Sequence, residues 1–222
     1  MRSKTGARTL DLDVRHVWNG GWAGRDQAAI REHVAELARL GVPAPTVTPI
    51  WFPLSNNLAT TADRIQVLGG ETSGEVEYAL LVSDGAVYVT VASDHTDRGF
   101  EKHGVQASKQ LYPNVLAPEA WPLEECLDHW DQLRLSCWVT VGGERRVYQQ
   151  ADLGSVLSAQ EWLEVLRRER VFADGLLFMS GTPPAIGGLS VGDSYEIELS
   201  DPLLGRVLSH GYSVEVLGAG HQ

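Results

Sequence analysis

Apolar residues alternate with polar ones over much of this chain, and the alternation predicts a protein built mainly from strands. Residues 8–18 read as a short strand, followed by the glycine-rich turn Gly20-Gly21-Trp22-Ala23-Gly24. Asp26 can cap a helix from about residue 27 to residue 40, with Ile30, Val34, Leu37 and Leu40 as its apolar stripe. Gly41 stops that helix, and Pro43, Pro45 and Pro49 forbid its resumption. Residues 45–54 are extended and residues 64–68 form a short strand. Two longer strands, 74–82 and 86–92, flank the turn signal Ser83-Asp84-Gly85. Residues 99–109 read as a loop with some helix. A second hairpin sets Leu133, Leu135, Cys137, Val139 and Val141 on one face, turns at Gly142-Gly143 and returns through 145–149. Residues 157–170 are helical, and 175–179 form a buried strand that ends in Ser180-Gly181-Thr182-Pro183-Pro184. Leu189-Ser190-Val191-Gly192-Asp193 turns into the strand 194–199, and the strand 209–216 closes the chain. Many closely spaced strands with few helices imply a single β-rich α+β domain, a roll or barrel.

The first hairpin also holds the most informative chemistry. With Asp84-Gly85 as a two-residue turn, Glu75 falls opposite Asp94, and Glu77 points to the same side as Glu75. Opposed side chains in an antiparallel pair have Cβ atoms about 4.5–5.5 Å apart, where like charges repel. The acids lie on a solvated face with a bulge in the register, or they need raised pKa values or a cation among them. All-oxygen ligands favour Mg²⁺, with Mn²⁺ or Ca²⁺ as substitutes, over zinc.

Composition narrows the partners. Eighteen Lys plus Arg against 29 Asp plus Glu give a net charge of −11, which argues against nucleic acid or an anionic membrane. Cys126 and Cys137 show no metal-ligand spacing and read as buried thiols. Without an apolar run long enough to span a bilayer, and without a signal-peptide core at Met1-Arg2-Ser3-Lys4, the expectation is a soluble cytoplasmic protein.

An ordered series of short motifs runs along nearly the whole chain. It comprises Gly24-Arg25-Asp26, His33-Val34-Ala35-Glu36, Glu75-Val76-Glu77, Ser93-Asp94-His95-Thr96-Asp97-Arg98, Ser108-Lys109, Gly181-Thr182-Pro183 and Gly192-Asp193. In this order they resemble the fumarylacetoacetate hydrolase superfamily. The stretch between Glu77 and Asp94 is shorter than in many members, the common Asn-Asp is Ser93-Asp94, and Lys-Ser-Phe-Asp is Lys109-Gln110-Leu111-Tyr112. The resemblance is to a branch marked by Ser-Asp-His-Thr-Asp-Arg. It implies a mixed β-roll with a few peripheral helices, residues 19–45 as a helical lid segment, and usually a homodimer.

The same resemblance implies site roles. Glu75, Glu77 and Asp94 would hold the divalent metal. His33 and Glu36, neighbours on one helix face at i and i+3, would activate water, with His33 as base and Glu36 orienting it. Lys109 would stabilise negative charge on an enolate, and Arg98 would bind a substrate carboxylate or carbonyl through its planar fork. Glu101, Thr182 and Gln149 are further substrate-binding candidates, while His95 and Asp97 take no role from relatives. The implied reaction is hydrolysis of a C–C bond in an acylpyruvate-like oxo-acid through a metal-stabilised enolate. Decarboxylation, isomerisation or hydration at the same metal site, and a non-catalytic metal- or carboxylate-binding domain, are the alternatives.

Overall fold

The computed structural model describes residues 12–28, 30–32, 35, 45 and 47–218. In chain order the strands are β1 (His16–Gly21), β2 (Ile50–Leu54), β3 (Ala59–Thr60), β4 (Arg64–Val67), β5 (Thr72–Ser83), β6 (Ala86–Asp97), β7 (Asn114–Leu116), β8 (Trp121–Pro122), β9 (Arg134–Val141), β10 (Glu144–Asp152), β11 (Leu176–Met179), β12 (Ser194–Asp201) and β13 (Arg206–Val216). Helix α1 (Val105–Lys109) precedes β7, and α2 (Ala159–Arg168) precedes β11. One sheet runs β2-β1-β11-β5-β6-β7-β3, with β8 attached to β6, and the other runs β10-β9-β12-β13-β4. The β-rich α+β architecture expected from the alternation is what forms.

The β5–β6 hairpin is the spine of the larger sheet. Asp84 and Gly85 both have positive φ, 52° and 73°, the mirror-image turn whose twist suits paired strands. Pairing then runs unbroken from Ser83↔Ala86 to Thr72↔Asp97, and Glu75 lies opposite Asp94 as the turn requires. Alternation gives the hairpin two unlike faces. Val76, Tyr78, Leu80, Val89 and Val91 pack in the main core with Leu135, Cys137, Val139, Ile197 and Leu199 of the second sheet. Ala79 and Ala92 look the other way, into a smaller cluster with Val17, Leu116, Leu177 and Met179. Glu75, Glu77 and Asp94 belong to this second face.

Several boundaries differ from the sequence expectation. β1 begins at His16 and includes Gly20 and Gly21, which pair with Trp51 and Ile50 instead of forming a turn. Gly20 is tolerated in that strand because a Cβ there would come within 2.9 Å of the Trp162 ring. Val141 is 43% exposed at the hairpin tip and drops out of the buried row formed by Leu133 to Val139. Helix α2 is set by a capping box, in which Ser158 and Glu161 exchange side-chain and backbone hydrogen bonds, and it buries Trp162, Leu163 and Leu166. Asp26 accepts from the Ala28 amide at 3.1 Å, as expected of a cap, and Gln27, Ala28, residues 30–32 and Ala35 are helical. Val34, Leu37, Leu40, Gly41 and Pro43 lie outside the described residues, as do residues 8–11 of the expected first strand. Cys126 and Cys137 are both buried and free. Among the described residues no helix is long and apolar enough to cross a membrane.

Candidate active site

The acid row on the second face is buried. Glu77 is 1% exposed and Asp94 0%, while the Glu75 side chain keeps 14%. Two cations meet it. The Lys109 ammonium, delivered by the last residue of α1, contacts Asp94 Oδ2. Arg98, one residue past β6, places Nη2 at 2.8 Å from Glu75 and Nη1 at 3.2 Å from Glu101. Its Nε donates to Ser73 Oγ at 2.7 Å, so the guanidinium is fixed on three sides. Thr96 Oγ1 donates to Asp94 Oδ1 at 3.2 Å.

Glu77 is the least compensated of the three acids. Burial, and next the Asp94 charge, push its carboxyl well above the usual range; Lys109 and the Gly181 amide only partly oppose this. Burial pulls Lys109 down, but Asp94, Glu77 and Glu75 outweigh it and keep the ammonium charged. Arg98 follows the same balance, with Glu75 as its main stabilising partner.

The segment after β11 closes the row from the β5 side. Gly181 N–H donates to Glu77 Oε2 at 2.8 Å. Gly181 has φ +84°, and a Cβ there would stand 2.8 Å from Ala23 Cβ, so both conformation and space require glycine. Thr182 Oγ1 donates to the Val76 carbonyl at 2.9 Å and accepts from Gln149 Nε2 at 2.7 Å. Gln149 also donates to the Pro183 carbonyl at 2.7 Å and accepts from the Val76 amide at 2.8 Å. Thr182 and Gln149, both expected to meet substrate, are bonded to the chain itself and pin the turn that holds Glu77.

His95 points the other way. It is fully buried between the sheets, with Nδ1 3.0 Å from Tyr212 Oη and Nε2 2.9 Å from Thr72 Oγ1. Burial lowers the imidazole to about 4, with Asp94 opposing and Arg98 reinforcing, so it is neutral near pH 7. Asp97 caps the following turn by accepting from the Phe100 amide at 2.8 Å and from Tyr112 Oη at 3.2 Å. His33 and Glu36 lie outside the described residues. The structure thus brings Glu75, Glu77, Asp94, Arg98, Glu101 and Lys109 together. It adds two partners that the sequence did not single out, Ser73 and the Gly181 amide. A backbone donor leaves no trace in residue type beyond the Gly-Thr-Pro motif itself.

The donor chemistry fits a hard divalent cation: three carboxylates on one face, one of them buried and short of positive charge. Among the described residues, however, no three His, Cys, Asp or Glu side chains stand ready-made as a metal cage. Asp94 and Glu75 are instead engaged by Lys109 and Arg98.

The model of the family described as "Protein of unknown function (DUF2848)" matches residues 20–212. A search of curated proteins gives no match. Among solved structures, a protein from Oleispira antarctica described as a fumarylacetoacetate isomerase/hydrolase superposes with a TM-score of 0.69 at 18% identity, over 94% of this chain and 97% of that one. A 2-keto-3-deoxyarabinonate dehydratase gives 0.66 at 19%, over 93% and 76%. A 2-keto-3-deoxy-D-arabinonate dehydratase complexed with magnesium and 2,5-dioxopentanoate gives 0.62 at 19%, over 92% and 74%. The fold is therefore the one these fumarylacetoacetate hydrolase-like structures share.

Proposed function

We propose a function from one premise: this chain belongs to the DUF2848 family and is built on the fumarylacetoacetate hydrolase fold. It is a divalent-cation-dependent enzyme acting on an oxo-carboxylic acid, with Glu75, Glu77 and Asp94 holding the cation, magnesium first. The observation that supports this is the row of three acids, Glu77 and Asp94 buried and Glu75 partly so, with Lys109 and Arg98 against it. A bound cation would supply Lewis acidity toward an oxo oxygen of the substrate.

The chain's own groups do the rest. Arg98, held by Ser73, Glu75 and Glu101, presents fixed positive charge at the rim of the row, suited to a substrate carboxylate. Lys109 keeps its proton inside the row and opposes negative charge that develops on the substrate. The Gly181 amide orients Glu77. His33 and Glu36 take the water-activating roles on the strength of their spacing and the family resemblance: His33 removes a proton from water, and Glu36 orients the ring. With that pair the reaction is hydrolytic cleavage of a C–C bond in an acylpyruvate-like acid, in the homodimer that the resemblance implies. Dehydration or isomerisation at the same site is the second reading, favoured by the activities named for the structural neighbours.

Incubating the protein with Mg²⁺, Mn²⁺ or Ca²⁺ and a panel of acylpyruvates, oxaloacetate and 3-deoxy-2-oxo acids, with product analysis, tests both. Cation-dependent cleavage products are expected; dehydrated or isomerised products transfer the assignment to the second reading. Absence of turnover across the panel, despite bound cation, refutes enzymatic function.

A further inference from the structure

Among the described residues, two buried carboxamides on the acid face have no hydrogen-bond partner. Asn19 on β1 and Asn114 on β7 are each 0% exposed, and in both the Oδ1 and the Nδ2 lack a hydrogen-bond partner. Asn19 alternates with Val17, and Asn114 with Leu116, along their strands, and both of those apolar residues belong to the cluster of Ala79, Ala92 and Met179. The asparagines therefore look onto the same sheet face as Glu77 and Asp94. β7 pairs with β6 through Ala92↔Leu116 and Ser93↔Val115, so the next step of that ladder sets Asn114 beside Asp94. Asn19 lies opposite Met179, which faces Ala79, two residues from Glu77 on the opposite flank. An unpaired carboxamide thus stands on each side of the acids.

A buried amide without a partner costs about 1–3 kcal/mol, and such a group in a folded chain calls for an explanation. Each carboxamide offers two donor hydrogens and one acceptor oxygen. Neither nearby cation serves the acceptors: the Lys109 ammonium is turned to Asp94 and the Arg98 guanidinium to Ser73, Glu75 and Glu101, and no donor reaches either Oδ1. Oxo and carboxylate oxygens only accept, so a ligand bearing nothing else would leave both Oδ1 atoms unpaired. A hydroxyl both donates and accepts. We propose that Asn19 and Asn114 are substrate-binding residues that read hydroxyl groups, and that the substrate is a hydroxylated oxo-carboxylic acid. Which way each amide is turned does not matter, since both polar atoms of both residues are free. The inference rests on the oxo-acid reading above and specifies its substrate.

The test compares 2-oxopentanoate with 4,5-dihydroxy-2-oxopentanoate by calorimetry in Mg²⁺, on wild type, Asn19→Leu and Asn114→Leu. Wild type binds the dihydroxy acid at least about 10-fold tighter, as a site built to bond a hydroxyl does. Each leucine variant loses most of that preference, keeps its affinity for 2-oxopentanoate within about two-fold, and melts no lower than wild type without ligand, since leucine fills the same space without an unpaired amide. Equal affinity of wild type for the two acids overturns the inference, as does a preference retained in both variants. Asn114→Ser, or the wild-type comparison alone, serves if a leucine variant does not fold. Failure of wild type to bind either acid sinks the oxo-acid reading itself, a result distinct from binding both alike.

Discussion

Lys109 and Asp94 are each too costly to bury alone, and each answers the other. Lys109→Met is therefore expected to destabilise the protein by about 3 kcal/mol in cation-free buffer. If Asp94 and its neighbours accept a divalent ion, added Mg²⁺ should raise the melting temperature of the variant more than that of wild type; thermal melts with and without Mg²⁺ check this. A second charged cluster lies away from the acid row. Asp201 accepts from Arg206 Nε at 3.0 Å and from the Leu204 amide at 3.0 Å, and its Oδ2 is 3.0 Å from His129 Nε2. Burial pushes its carboxyl up, but these bonds outweigh it and hold it below the usual range. The stabilisation is present above the ordinary carboxylate range and is lost as pH falls through the depressed folded value. Asp201→Asn should cost about 2 kcal/mol near neutral pH, with the two urea midpoints converging in acid. At this scale Lys109 and Arg98 were legible because cations next to acids in an acidic chain stand out. The turn in which Gln149 and Thr182 are consumed was not, because residue type does not say which bonds a polar side chain has already made.

Elements were legible where a period or a turn signal had room to show. Asp84-Gly85 determined the pairing of two 12-residue strands, and with it the meeting of Glu75 and Asp94. The alternation in β9 and the helix over 157–170 were equally plain. Strands β3 and β8, two residues each, are too short to display alternation and exist only because a neighbouring edge receives them. β1 was misplaced because Gly20 answers to a tertiary contact, the Trp162 ring, and not to a turn. The Gly181 segment yields its own prediction. Gly181→Ala adds a side chain at a positive φ and against Ala23, and should cost at least about 2 kcal/mol in denaturant unfolding.

The two sheets meet across polar as well as apolar contacts. Tyr212 of β13 reaches over to β6, with its Oη 2.8 Å from Ser93 Oγ and 3.0 Å from His95 Nδ1. Tyr212→Phe strips both of a buried partner and should cost about 1–2 kcal/mol by urea unfolding, with the fold retained. The implied homodimer predicts a particle of twice the 24.2 kDa chain mass in sedimentation or light scattering. The hairpin's two faces also bear on how the molecule reaches one structure. A slip of a single position between β5 and β6 would turn carboxylates from one strand toward the tyrosines of the second sheet. That arrangement would strand charge in an oily, crowded layer, so the same carboxylates also penalise the wrong alignment, and the acid face doubles as the chain's proofreading device during assembly.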